Sequence, residues 1–483
     1  MLPLSAPTYD LAVIGGGAAG LAASATAAAL GARTALIEAS RFGGDCTWNG
    51  CVPSKTLLRA AAAAAQARGG EWLGIEAEPR ITGKRVFERV RAVRERIYAE
   101  SDSPAALARY GVETFRATAR FTDPHTLALK GDAPERLTAR RFIIATGSRP
   151  LPIDLGVPTL DSESIWEIET LPSQMIIIGG GPVAIEIAQG FRRLGVAVTV
   201  ITEGPRILQR DHCEAAETVA RALRNEGVTI LTGRRVTTAS NADGVVSAQL
   251  SDGTVLHADR LFVAVGRAAQ IDSLDLGRAG VEVGDALITI DRRCRTSQRH
   301  IYAAGDCATT ARFTHVAERM AGIAVMNAVV GMPTYFDASA VTWTTFTHPE
   351  LAQVGPTELE LRKARQRFVE ARFPFTRLDR AIIDGAEDGF VSILTTPRGR
   401  VLGGTVVGPR AGELIAEIAL ARSRRLHLRA IASTLHVYPS YAMGIRRAAD
   451  TALIRARTAS VLTALRLLRG LRGTPPPLEV LLP

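Results

Sequence analysis

Two thiols and an ammonium group lie within one short stretch, Gly43-Gly44-Asp45-Cys46-Thr47-Trp48-Asn49-Gly50-Cys51-Val52-Pro53-Ser54-Lys55. Cys46 and Cys51 are separated by four residues, entered through paired glycines, and followed by an alanine-rich run from Leu57 to Ala67. That pattern predicts a loop feeding a helix. Pro53 suits the first helical position, where its missing N–H costs nothing. The positive end of such a helix favours a thiolate at Cys51, and a pair so placed can cycle between disulfide and dithiol. The spacing also suits two inert thiols or half of a metal site. No second Cys or His pair follows at zinc spacing, so no metal site is expected.

The elements that position this stretch begin upstream. Asp10-Leu11-Ala12-Val13-Ile14 reads as a buried strand running into Gly15-Gly16-Gly17-Ala18-Ala19-Gly20 and then a helix, and Glu38 closes the next strand, Thr34-Ala35-Leu36-Ile37. Gly15, Gly17 and Gly20 let the backbone approach a pyrophosphate, the helix N-terminus offers N–H groups, and the acid takes ribose hydroxyls. A second strand–glycine–helix unit follows, Met175–Ile178 into Gly179-Gly180-Gly181-Pro182-Val183-Ala184, with Glu186 on the helix. Two dinucleotide folds imply two nucleotides, one a tightly held flavin and the other an exchangeable nicotinamide. Glu203, after the strand Val198–Thr202, disfavours a 2′-phosphate, whereas Arg206 and Arg210 would tolerate one. Ala184 as third fingerprint residue also leans towards NADPH. The balance favours NADH, with NADPH as the alternative. Buried strands ending in tight turns recur at Arg141–Ser148, Leu261–Arg267 and Ile301–Asp306, and after the last of these Asp306 is placed to hold a ribityl hydroxyl. The Arg/Glu-rich stretch Val86–Glu100 reads as a solvated helical face.

Composition narrows the class. The chain has 483 residues, 47% apolar and 22% charged, as expected of a globular protein. Its five cysteines argue against a secreted disulfide framework. The formal charge of +10 raises a nucleic-acid partner, but the arginines are spread along the chain, so none is expected. Only four of the 58 basic residues are lysine, which singles out Lys55 as a compact, tunable ammonium. No secretory signal pattern precedes the first strand, so the expected location is cytoplasmic.

The GGDCTWNGCVPSK stretch, the two glycine fingerprints, ATGS, AVGR and IYAAGD, in this order from about Tyr9 to about Ala449, resemble the pyridine nucleotide–disulfide oxidoreductases of the glutathione reductase, lipoamide dehydrogenase and mercuric reductase type. The resemblance implies an α/β fold with two Rossmann-like domains, for FAD and NAD(P), and a C-terminal α+β dimerisation domain. It implies FAD-binding parts at 1–149 and 268–336, an NAD(P)-binding domain at 150–267, an interface domain at 337–450 and a tail at 451–483. By resemblance Cys51 is the thiol next to the flavin, Cys46 the interchange thiol, Lys55 the lysine near flavin N5 and Glu186 its acidic partner. Gly15, Gly17, Gly20, Glu38, Gly44, Lys55, Thr146, Gly147, Asp306 and His315 are expected to bind FAD. His315 would open a helix aimed at the pyrimidine edge of the ring. Gly179, Gly181, Ala184 and Glu203 are expected to bind NADH or NADPH. Pro182 stands where glutathione reductase carries a gating tyrosine. A homodimer is implied.

One departure bears on the acceptor. Disulfide-reducing members end in a His-Pro motif with a glutamate five residues after the histidine, reaching into the partner subunit's site. In Leu435-His436-Val437-Tyr438-Pro439-Ser440-Tyr441-Ala442-Met443, Tyr438 occupies the histidine position and Met443 the glutamate position. Tyrosine, with a pKa near 10, is a poor base at neutral pH, and general acid–base catalysis typically contributes about 10²–10⁴ in rate. Mercuric reductase resembles this chain in having tyrosine here, because a soft metal ion needs thiolates more than a proton shuttle. A mercuric-reductase-like enzyme passing electrons to a metal ion or other acceptor is therefore expected. Against it stand the lack of a C-terminal cysteine pair and of an N-terminal metal-binding domain, and the option that His436 replaces the missing histidine. The alternatives are a dihydrolipoyl dehydrogenase or other disulfide reductase, and a low-turnover redox sensor or membrane-partner flavoprotein. The last draws on the tail Arg446–Arg472, which carries seven arginines against one acid, Asp450, and forms a basic amphipathic pattern. A helix packed on the interface domain explains the same pattern.

Overall fold

The computed structural model describes residues 8–455 and, beyond them, 464, 466–470 and 473. By internal contacts the chain divides into two compact units, Met1–Gly179 with Arg193–Ala197 and Val236–Asp337, and Gly180–Arg192 with Val198–Arg235 and Ala338–Pro483.

In the first unit a parallel sheet is built from apolar runs that are buried on both faces. Tyr9–Ile14 is central: Leu11 lies opposite Thr34 of Thr34–Glu38 on one side and Arg141 of Arg136–Ile144 on the other. Ile301–Ala303 extends the sheet beside Arg136–Ile144, and Val112–Asp123 extends it beside Thr34–Glu38. The long Val112–Asp123 strand continues into an antiparallel meander with Thr126–Asp132, which returns to Arg136–Ile144. Leu11, Ala12, Val13, Phe142, Ile143 and Ile144 are all fully buried, as the near-continuous hydrophobic reading of parallel strands requires. The turns that follow Ile14, Ile37, Ile144 and Ala303 therefore leave the same sheet edge, at the C-terminal ends of parallel strands, where dinucleotides bind in open α/β sheets. The unit also contains the parallel pair Gln174–Ile178 and Arg260–Val263.

The second unit carries the helix following the second glycine turn, the parallel strands Ala197–Thr202 and Thr229–Thr232, and the helix Cys213–Asn225. Its C-terminal part is a five-stranded antiparallel sheet in the order Thr342–Thr345, Glu350–Val354, Val401–Gly408, Phe390–Thr395, Val369–Pro374. The helices Ala411–Ser423 and Ala442–Arg455 contribute Ile415, Ile418, Ile445, Ala448 and Ala449 to the core on this sheet. Most of the tail expected at 451–483 lies outside the described residues. Among the described residues no helix is long and apolar enough to cross a membrane.

Candidate active site

The redox loop is two helical segments rather than one loop and one helix. Gly43, at φ +99°, turns the chain into the short helix Gly44–Trp48, and the N–H groups of Asn49 and Gly50 close back onto the Asp45 carbonyl at 2.8 and 2.6 Å. That closure lets the long helix start at Cys51 and run to Arg68. Pro53 is consequently its third residue rather than its first. It is still tolerated, because none of the first four N–H groups of a helix has an intrahelical acceptor. Cys51 is exposed in the first turn and Lys55 is half-buried one turn further on.

Cys46 is half-buried and Cys51 exposed. A hydrogen bond to Cys51, and then burial, hold the Cys46 thiol well above its ordinary pKa. Cys51 Sγ also lies 3.4 Å from Thr314 Oγ1. Thr314, with Phe313 as N-cap, is the first residue of the helix Thr314–Val325; His315 is the second, exposed, with its ring stacked on Phe313. A hydroxyl thus meets the redox pair.

The loop is held from several directions. Thr47 Oγ1 donates to Asp102 Oδ2 at 2.6 Å, both groups being buried. Trp48 Nε1 donates to Phe42 O at 2.7 Å, and the guanidinium of Arg41 stacks 3.6 Å above the Trp48 ring. Trp166 Nε1 donates to Asn49 O at 2.7 Å. Arg94 also packs over Trp48 and pairs with Glu167 at 3.5 Å, with its side chain only 6% exposed. The helix Gly83–Ile97 is therefore not simply a solvated face: Phe87, Val90 and Arg94 form its inner stripe.

The residues expected to hold FAD surround the same edge. Gly15, at φ +107°, has Ala145 O only 2.3 Å from where a Cβ would stand, and a Cβ on Gly20 would lie 1.7 Å from Gly15 O. Gly17 and Gly44 face each other as bare backbone, a Cβ on Gly44 falling 2.5 Å from Gly17 Cα. Glu38 accepts from Gly16 N at 2.6 Å and Ser40 N at 2.7 Å, so it closes the turn as well as ending the strand. Thr146 Oγ1 is buried without a hydrogen bond, and Gly147, at φ +72°, has open space at its Cα. Asp306 Oδ2 accepts from Ser148 Oγ at 2.6 Å. An orphaned hydroxyl and a side-chain-free cradle beside helix N-termini suit a flavin dinucleotide.

At the second glycine turn, Gly179, at φ +132°, approaches Ala264 O within 2.3 Å of a Cβ position. Gly181 has open space at its Cα and Ala184 is fully buried. A Cβ on Gly180 would meet Thr202 Oγ1 at 2.7 Å, which brings this turn to the end of the strand that precedes exposed Glu203. Arg206 is committed elsewhere: its Nη1 donates to the carbonyls of Ile207 and Leu208, and its Nη2 to those of Gln209 and Asp211. Glu186 is 5% exposed and accepts from Phe346 N at 2.9 Å.

At the C-terminal loop, Tyr438 is 64% exposed, and a hydrogen bond to Asp379 raises its pKa further. Met443 is buried in the core beneath the antiparallel sheet. His436 stays two residues away from the Tyr438 position. Its Nε2 meets both carboxylate oxygens of Glu417 at 3.0 and 3.1 Å, Nδ1 meets Thr434 O at 3.0 Å, and the side chain is 5% exposed.

Residues 9–321 match the family model described as pyridine nucleotide-disulphide oxidoreductase, and residues 341–449 match its dimerisation domain. A dihydrolipoyl dehydrogenase of Haloferax volcanii is 34% identical over 462 residues, 92% of this chain and 97% of that one. A mercuric reductase of Lysinibacillus sphaericus is 31% identical, covering 92% of this chain and 82% of that one. Among solved structures, LpdA from Mycobacterium tuberculosis superposes with a TM-score of 0.85 at 28% identity, covering 91% of this chain and 99% of that one. The architecture is accordingly two Rossmann-like dinucleotide-binding domains followed by a C-terminal dimerisation domain. Similarity does not single out mercuric reductase, since the relatives also include several dihydrolipoyl dehydrogenases.

Proposed function

Because this chain belongs to the pyridine nucleotide–disulphide oxidoreductase family, we propose that it is an NAD(P)H-dependent enzyme that reduces its Cys46–Cys51 disulfide and delivers the two electrons to a metal ion or another small oxidised acceptor. FAD and NAD(P)H are the cofactors of the family, and the flavin, when bound, supplies two-electron transfer between nicotinamide and disulfide. Gly15, Gly17, Gly20, Glu38, Gly44, Thr146, Gly147 and Asp306 would hold it, His315 would stand at its pyrimidine edge, and Lys55 would set the charge beside its reactive edge. Gly179, Gly181 and Ala184 would receive the nicotinamide dinucleotide. Cys51 would be the thiol nearest the ring, and Cys46 the one that meets the acceptor. The family's dimerisation domain supports a homodimer.

The observation that carries the choice of acceptor is the loop around Tyr438. A dithiol product needs its leaving sulfur protonated. With its phenol pKa raised by the hydrogen bond to Asp379, Tyr438 is a still weaker proton donor than an ordinary tyrosine, Met443 carries no acid, and the imidazole of His436 is sequestered against Glu417 and Thr434. A thiolate-bound soft metal ion such as Hg(II) needs no such proton. The second reading, a dihydrolipoyl dehydrogenase, draws on relatives of that name at 34–35% identity.

NADH is the proposed donor, because Glu203 is exposed at the strand end while Arg206 is occupied by four carbonyls. The test is anaerobic reduction of the FAD-loaded protein by NADH and by NADPH, followed by turnover with Hg(II) or dihydrolipoamide/lipoamide. The reading expects two new thiols per chain, NADH favoured in kcat/KM, and turnover with Hg(II) exceeding that with lipoamide. Glu203→Arg is expected to shift the NADH/NADPH ratio by about tenfold, the equivalent of one pKa unit of differential interaction. Efficient lipoamide turnover would replace the first reading by the second.

A further inference from the structure

Cys51 Sγ lies where two helices begin. Cys51 is the first residue of the helix Cys51–Arg68, and its sulfur is 3.4 Å from Oγ1 of Thr314, the first residue of the helix Thr314–Val325. Neither helix has a side-chain hydrogen bond at its N-cap, Gly50 or Phe313, and neither has an acid in its first turn. The partial positive charge of both starts is therefore not offset by an acid of either first turn, and each start favours an anion at the sulfur. The hydroxyl adds a directional contact to this field. Against a neutral Cys51 thiol it accepts from a weak S–H donor or donates to a weak sulfur acceptor. Against the thiolate it donates a charge-assisted bond, roughly twice as strong as a neutral one. The same contact thus becomes stronger when Cys51 ionises.

We propose that Thr314 is a catalytic residue of the dithiol stage: its hydroxyl donates to the Cys51 sulfur and so makes Cys51, rather than Cys46, the thiolate of the reduced pair. The proposal rests on the reading of Cys46 and Cys51 as the redox pair, with Cys51 beside the flavin. On ionisation the Cys51 proton goes to solvent, and Thr314 keeps its own proton, directed at the sulfur. Cys46 is the less suited of the two thiols. Its hydrogen bond to Cys51, and then burial, hold its pKa up, and they outweigh the lowering by Thr314. The titratable groups around the Cys51 sulfur are Asp45 and Cys46 on the short helix, Lys55 one turn along the helix that Cys51 starts, and His315 next to Thr314.

The experiment uses FAD-loaded protein carrying Cys46→Ala, in which no disulfide forms at the site and Cys51 titrates alone beside the oxidised flavin. The readout is the pH midpoint of the long-wavelength thiolate-to-flavin charge-transfer absorbance. Adding Thr314→Val, which keeps the side-chain shape and removes the O–H, is expected to raise that midpoint by about one pH unit, the difference between a charge-assisted and a neutral hydrogen bond. Thr314→Ser, which keeps the O–H and loses the methyl, is expected to stay near the Cys46→Ala protein. Packing alone would give the reverse order, because valine preserves the side-chain volume and serine does not. If Thr314→Val fails to hold FAD, Thr314→Ala takes its place, with a shift of the same sign expected. A midpoint that is unchanged or lowered without the hydroxyl, or that moves as far with serine as with valine, overturns the proposal. Absence of the band at every pH in the Cys46→Ala protein with Thr314 intact would instead overturn the reading of Cys51 as the thiol beside the flavin, and the proposal with it.

Discussion

Replacing Thr47 by valine removes one oxygen from the redox loop and leaves its shape almost unchanged. Thr47 is 4% exposed and Asp102 is 8% exposed, so neither has water to fall back on. The Asp102 carboxylate takes Thr47 Oγ1 at 2.6 Å on one oxygen and Ser101 Oγ at 2.7 Å on the other. A hydrogen bond to a charged group contributes about 1.5–3 kcal/mol, and deleting one partner of a buried pair leaves the other unsatisfied. Thr47→Val is therefore expected to cost about 2–3 kcal/mol. Thr47→Ser, which keeps the hydroxyl and loses a methyl, is expected to cost about 1 kcal/mol. The assay is equilibrium urea unfolding of the FAD-loaded protein, with reversibility checked, because large flavoproteins can unfold irreversibly. A double-mutant cycle with Asp102→Asn isolates the pair and should return a coupling of at least about 1 kcal/mol. If valine and serine at 47 prove equally stable, the hydroxyl is not what ties the loop to Asp102, and the reasoning fails.

Gly44→Ala introduces a Cβ 2.5 Å from Gly17 Cα at a residue with φ +56°. It is expected to yield protein with normal circular dichroism but little bound FAD, and stoichiometric flavin after purification would refute it. Asp211 is buried against Trp343, whose Nε1 donates to it at 2.7 Å, and burial pushes its carboxyl up to about 6. A carboxyl raised in the folded state favours folding most at pH values below its unfolded pKa near 4, and that contribution is lost as the pH rises through 6. Asp211→Asn keeps an acceptor for the indole and should stabilise the protein at pH 7.5 relative to pH 4.5 by roughly 2 kcal/mol compared with the parent. Parallel stability–pH curves for the two proteins would count against this assignment.

The glycine turns were legible because their requirements are local. A strand that runs into Gly15 or Gly179 needs a positive φ and a backbone without Cβ, and both demands show in residue type and order alone. The same holds for the redox stretch, whose two cysteines lie within two successive helical segments. The place of Pro53 was misread by two positions. The helix start depends on the closure of Asn49 and Gly50 onto Asp45, a conformation that residue types there do not announce. The Arg/Glu-rich stretch Val86–Glu100 was misread for a related reason. A buried arginine over Trp48 looks the same in sequence as a solvated one.

What the residues alone determined about this protein is its chemistry in outline: two dinucleotide folds, a dithiol pair beside the first, and a C-terminal loop lacking the histidine–glutamate dyad. Only the tertiary structure decided which groups attend the thiols. Thr314 meets Cys51 and Arg267 meets Asp45 across more than 200 residues of chain. His436 is bound to Glu417 rather than taking the place of Tyr438. Electrostatic and hydrogen-bonding partners act over a few ångströms of space, and parallel strands that bring distant turns to one sheet edge create that proximity without leaving a mark in the spacing of the sequence.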